Sequence, residues 1–167
     1  MIWGAVIVGI LVFVALFAPV LAPYDPFKLG IPYIKPCAEH PLGTNDVGQD
    51  LLSELIYGTR VSIFIGLFTA LIVTVLAALL ALVAGYYKGW VDRIVTALTN
   101  VTMGLPSLAL TVLLTAYLSP GKLSMIIAIS LTAWTGTSRI LRSRVVQLCE
   151  MPFVKIEKAI GMNVFVI

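Results

Sequence analysis

Residues 61–84 read VSIFIGLFTALIVTVLAALLALVA, without one ionisable side chain. A helix needs about 20 such residues to cross a bilayer. The rest of the chain agrees: 60% of its residues are hydrophobic and 11% are charged. A soluble domain carries about 25% charged residues, so this chain has too little polar surface to coat a water-soluble globule. The mean hydropathy is +1.05. An integral, all-α membrane protein is the reading that follows.

Three further apolar runs flank the first. Ile2 to Leu21 carries no charge and ends among Pro19 and Pro23, where proline cannot extend a helix. It lacks a basic start and has only a weak cleavage signal, so it reads as a retained helix (1–22), not a signal peptide. Residues 94–118 form the next run, with Pro106 inside, where the missing amide can bend the helix, and 123–138 the last and shortest. Four transmembrane helices are predicted, at about 2–21, 61–84, 94–118 and 123–138. A loop and lead-in helix fill 23–60, and residues 61–167 form the core.

Lys and Arg placement sets the orientation. With the N-terminus cytoplasmic, seven basic residues lie inside: Lys88, Arg93, Arg139, Arg142, Arg144, Lys155 and Lys158. Four lie outside: Lys28, Lys35, Arg60 and Lys122. The C-terminal tail is therefore expected inside as well. Cys37 and Cys149 then fall on opposite sides of the membrane and cannot pair with each other. Basic residues beside lipid report topology, so no nucleic-acid partner is read from the net charge of +3.

Gly66, Ala70, Thr74 and Ala78 recur every fourth residue, and Ala77, Ala81 and Gly85 continue on a neighbouring line. Small residues at that spacing make a seam on which another helix can close. In IVTALTNVTMGLPSLAL (94–110), Thr96, Thr99, Asn100, Met103 and Ser107 form the most polar interior stripe. Such a stripe faces either a translocation path, with Thr96, Asn100 and Ser107 as its residues, or a neighbouring helix through hydrogen bonds. No ionisable residue lies well inside any span, so no catalytic residue is assigned. No charged ring or filter sequence suggests a channel. Asp46, Asp50 and Glu54, spaced by four, read as a solvated acidic face in preference to a calcium site. His40, the one histidine, reads as a loop residue, and neither a metal nor a cofactor is expected.

The stretch MPFVKIEKAIGMN (151–163) has a different rhythm. On a helix, Phe153, Ile156 and Ile160 share a side, with Lys155 and Lys158 opposite and Glu157 near the apolar stripe. Gly161 follows where a helix would turn. So short a helix needs a surface to lie on, either lipid headgroups or the groove of a partner.

Five motifs in order now carry a resemblance. APVLAPYDPF (18–27), HPLGTNDVGQDLLSELIYGTRVSIFIG (40–66), GYYKGWVDR (85–93), WTGTSRILRSRVVQL (134–148) and MPFVKIEKAIGMN (151–163) resemble, collinearly, the permease subunits of ABC importers for dipeptides, oligopeptides or nickel. The resemblance implies a plasma (inner) membrane location and a cytoplasmic coupling loop over about 142–163. There Phe153, Val154, Ile156, Ala159, Ile160 and Gly161 would meet a cytoplasmic ATP-binding subunit. It also implies a second homologous permease, an extracytoplasmic solute-binding protein, and alternating access driven by ATP hydrolysis in the partners. The permease itself would not be an enzyme. Departures from the family pattern stand at Gln49, Glu54, Asn100, Lys155, Ile156 and Glu157. The family continues for two more helices, which this sequence lacks. The alternative reading is a truncated, transport-inactive or accessory membrane protein derived from such a permease.

Overall fold

In the computed structural model, residues 2–161 are described, with the side chains of Glu157 and Lys158 outside the description. The elements are α1 (Ile2–Leu21), α2 (Leu51–Tyr87), α3 (Gly89–Gly104), α4 (Ser107–Tyr117), α5 (Lys122–Cys149) and α6 (Pro152–Ala159). The only β-type pairing among the described residues is the isolated bridge between Thr44 and Asp50. Among the described residues the fold is all-α. It divides into two compact units, Met1–Leu67 and Phe68–Ile167.

α1 and α2 are each long and apolar enough to cross a membrane. On α1 only Ala15 and Ala18 are buried, so its large apolar side chains face outward all round, as lipid exposure favours. α2 runs for 37 residues, well beyond the predicted 61–84. The lead-in helix and the second span are one continuous helix, because nothing between Leu51 and Tyr87 breaks it: no proline occurs there.

The third span departs from expectation. Residues 94–118 are not one helix. α3 and α4 meet at an 88° elbow and qualify as a single broken span only if taken together. Leu105 is extended (φ −87°, ψ 142°), the conformation that a following proline imposes. Pro106 also has no amide to continue the helical ladder. The fourth predicted span lies inside α5, whose second half carries Arg139, Arg142 and Arg144.

In the first unit, residues 22–50 are tied down side chain by side chain. Asp50 stands at the N-cap of α2 and accepts the Ser53 amide (2.8 Å) and hydroxyl (2.7 Å). Ser53 Oγ in turn accepts the amide of Tyr24 (3.1 Å). His40 Nδ1 meets Asp50 Oδ1 at 2.9 Å, and its ring lies against Tyr24, 4.9 Å between centroids. Thr44 Oγ1 accepts the Ile34 amide and donates to the Ile31 carbonyl. Gly48, at φ +82°, sits where a Cβ would fall 2.2 Å from the backbone of Gly30. The solvated acidic face read from sequence is therefore wrong for Asp50, which is 3% exposed. Asp46 precedes α2 and does not share a helical face with the other two.

In the second unit α5 is the central element, with α3, α4 and α6 against it. Its buried side includes Ile126, Ala128, Thr132, Trp134 and Ser138. The last turn of α2 also reaches it: a Cβ on Gly85 would fall 2.6 Å from Val145 Cγ1.

Candidate functional site

Three polar bridges fasten the broken span to α5. Thr111 and Thr132 share a hydrogen bond between hydroxyls at 3.0 Å. Arg139 donates to Asn100 Oδ1 at 2.8 Å. Arg142 forms a two-pronged ion pair with Asp92, the geometry in which a guanidinium binds a carboxylate best. At the elbow an open cavity of roughly 560 Å³ is lined by Thr102, Ser107, Thr111, Thr132 and Thr135 among apolar residues. Of the three path residues read from sequence, Ser107 lines this cavity. Asn100 has an interhelical partner instead, and Thr96 is half-buried on α3.

The small-residue lines on α2 separate. Ala77, Ala81 and Ala84 are fully buried. Gly66, Ala70 and Thr74 are exposed and Ala78 is half-buried. A Cβ on Gly66 would meet nothing within 4 Å. The seam at 66–74 is thus open within this chain.

α6 completes the site. Val154 is 5% exposed and anchors the helix, while Phe153, Ile156 and Ile160 are 55–69% exposed. Ala159 is exposed as well. Gly161 has φ +77°, the left-handed conformation that ends a helix cheaply only at glycine. Two lysines hold one carboxylate beside this helix: Glu150 Oε1 takes Lys88 Nζ, and Oε2 takes Lys155 Nζ at 2.9 Å. The hydrogen bond from Lys88, seconded by Lys155, lowers the Glu150 pKa to about 2. The same bond raises Lys88 above the ordinary lysine value. The readings of Glu157 and Lys158, and the match at 162–163, lie outside the described residues.

Sequence reasoning overlooked these pairs. Lys88 was counted only as a marker of orientation, and Asp92 and Glu150 were assigned nothing. Their partners are 50 to 62 residues away in sequence, and no local period links such distant charges. No group of three or more His, Cys, Asp or Glu able to hold a metal occurs among the described residues. Cys37 and Cys149 are both free.

Long apolar helices, a polar elbow and a short helix with Phe153, Ile156 and Ile160 exposed define a helical membrane protein. The particular kind follows from comparison with known proteins: the chain belongs to the family of binding-protein-dependent transport system inner membrane components, which matches residues 77–167. Residues 1–47 match the N-terminal transmembrane domain of oligopeptide transport permease C. The dipeptide transport system permease protein of Bacillus subtilis (strain 168) is 32% identical over 97% of this chain and 51% of its own length. The oligopeptide permease of the same organism is 29% identical over 95% and 52%. The glutathione transport permease of Pectobacterium atrosepticum is 28% identical over 92% and 52%. The chain therefore spans about half the length of these relatives.

Proposed function

We propose that the chain works as a permease subunit of an ATP-driven, binding-protein-dependent importer of peptides in the plasma (inner) membrane. The observation that carries this reading is α6. Within a transport-permease family, its apolar residues Phe153, Ile156 and Ile160 stand bare while Val154 and Lys155 fix the helix to the chain. A bare apolar side on a short, held helix is the form of a helix-in-groove contact, and the ATP-binding subunit of the importer is its occupant here. In this reading α1, α2, the α3–α4 pair and the first half of α5 make four spans. Both the N-terminus and α6 then face the cytoplasm, where the basic residues cluster.

Transport proceeds by alternating access. Closure of two ATP-binding subunits shifts α6, and the shift opens the threonine-rich elbow to one side of the membrane at a time. A solute-binding protein delivers substrate to the loop at 22–50, and a second permease closes on the open seam at Gly66, Ala70 and Thr74. Peptides are preferred to nickel as substrate, because the similar permeases carry dipeptide, oligopeptide and glutathione in their names.

The test is capture of the ATP-binding subunits from native membranes by this chain and by its Phe153→Asp variant. Capture should fall at least tenfold in the variant while its own membrane level holds. Equal capture by both would remove the docking role from α6.

A further inference from the structure

We propose that Glu150 is a positioning residue whose single carboxylate locks α6 to the turn between α2 and α3, so that any displacement of α6 is passed to that turn. The inference rests on the importer reading of α6 for its purpose, though not for its geometry.

Glu150 follows α5 directly, and its two oxygens face different elements. Oε1 takes Lys88, the residue between α2 and α3, and Oε2 takes Lys155 on α6. The turn breaks the regular helical backbone of this region. Lys88 has φ 52° and ψ −160°, a conformation that non-glycine residues hold only where their surroundings determine it. Gly89 follows at φ +60°. Two consecutive residues of positive φ make a natural pivot; the Lys88 amide bonds the Ala84 carbonyl, and Glu150 holds its side chain.

The neighbouring packing leaves the pivot little else to follow. α2 touches α5 closely at Gly85 and Val145, which brings Lys88 within reach of Glu150. Arg142 and Asp92 then tie the first turn of α3 to the same helix. The pivot is therefore bounded by α5 on both sides, with Glu150 as its link to α6. Lys88, Glu150 and Lys155 are each about half-exposed, and exposed ion pairs contribute little to stability. Loss of the carboxylate charge should thus leave the fold intact and remove the mechanical link, which separates a positioning role from a structural one.

The experiment uses the full protein with its partner subunits in lipid nanodiscs, with Cys37 and Cys149 replaced by serine. Spin labels at Trp90 and Pro152 report the distance from turn to α6, and uptake is measured on unlabelled protein. The variants are Glu150→Gln and the inverted triad Lys88→Glu, Glu150→Lys, Lys155→Glu. Glu150→Gln should broaden the distance distribution and lower ATP-driven uptake about tenfold, with unchanged melting temperature and unchanged capture of ATP-binding subunits. The inverted triad should restore both the distance and the uptake. An unchanged distribution in Glu150→Gln, a lowered melting temperature, or no recovery in the inverted triad would overturn the proposal. So would a broadened distribution with normal uptake. If the unaltered protein shows no uptake, the importer reading fails, and the distance measurements still decide whether Glu150 makes the link.

Discussion

Replacing Asp50 with alanine should loosen the start of α2 far more than the loss of one exposed acid would. The carboxylate is 3% exposed and accepts the amide and hydroxyl of Ser53 together with His40. Losing an N-cap costs about 1 kcal/mol. Leaving the buried Ser53 hydroxyl and the His40 ring without their acceptor adds roughly 2 kcal/mol. A total of about 3 kcal/mol corresponds to roughly a 100-fold change in an opening equilibrium. The assay is hydrogen exchange by mass spectrometry in nanodiscs, on peptides covering residues 24–27 and 51–57. Both should exchange faster together, because the Tyr24 amide rests on Ser53. Asp50→Asn keeps one oxygen for the Ser53 amide and hydroxyl but turns a donor, its amide nitrogen, toward His40, so it should cost about 1 kcal/mol. Less than a threefold change in the alanine variant, or a larger effect in the asparagine one, would refute the reasoning.

Further perturbations follow from the same geometry. Burial pushes the Asp50 pKa up, but the bonds from His40 and Ser53 outweigh it and leave the pKa below the ordinary value. The unfolded loop therefore takes its proton first on acidification. Protection at residues 51–57 should stay level from about pH 7 to 5 and fall below about pH 4, as linkage requires. Gly48→Ala places a Cβ on the Gly30 backbone at positive φ and should cost about 3 kcal/mol, seen as a lower melting temperature. Gly85→Ala should also melt lower, because Val145 occupies the space. Gly66→Ala should leave the melting temperature of the chain unchanged and yet weaken pairing with a second permease, read by chemical cross-linking. Maleimide should modify the exposed Cys37 quickly and the buried Cys149 only after denaturation.

The parts of this fold legible in the sequence are those governed by local pattern. An uncharged run such as 61–84 reads as a helix in lipid, and the amphipathic period at 153–160 puts Phe153, Ile156 and Ile160 on one side, whereas the burial of Val154, grouped with them by the resemblance, comes from packing within the chain. Pro106 announced a bend without its size. The 88° elbow depends on α3 and α4 both lying against α5, which no single segment encodes. Asp50 was misread because its spacing from Asp46 and Glu54 mimics a helical face, while its burial comes from Tyr24 and His40, far back in the chain. The Lys88–Glu150–Lys155 triad was invisible for the same reason. Charges separated by 62 residues meet only because a glycine at position 85 lets two backbones close. Of the small-residue lines, the sequence marks both alike, and packing alone decides that 77–84 is covered and 66–74 is open.

The tie between Tyr24 and Ser53 also bears on how the protein is made. The bond spans 29 residues, and further anchors of the loop at 22–50 end on Asp50 and Glu54 at the start of α2. Chains leave the ribosome at about 5–20 residues per second, so several seconds separate the emergence of Tyr24 from that of its acceptor. During that interval the Tyr24 end of the loop has no Ser53 to close upon. Its folding must wait for the first turn of α2, and a stall in synthesis between residues 25 and 50 would leave it open to proteases.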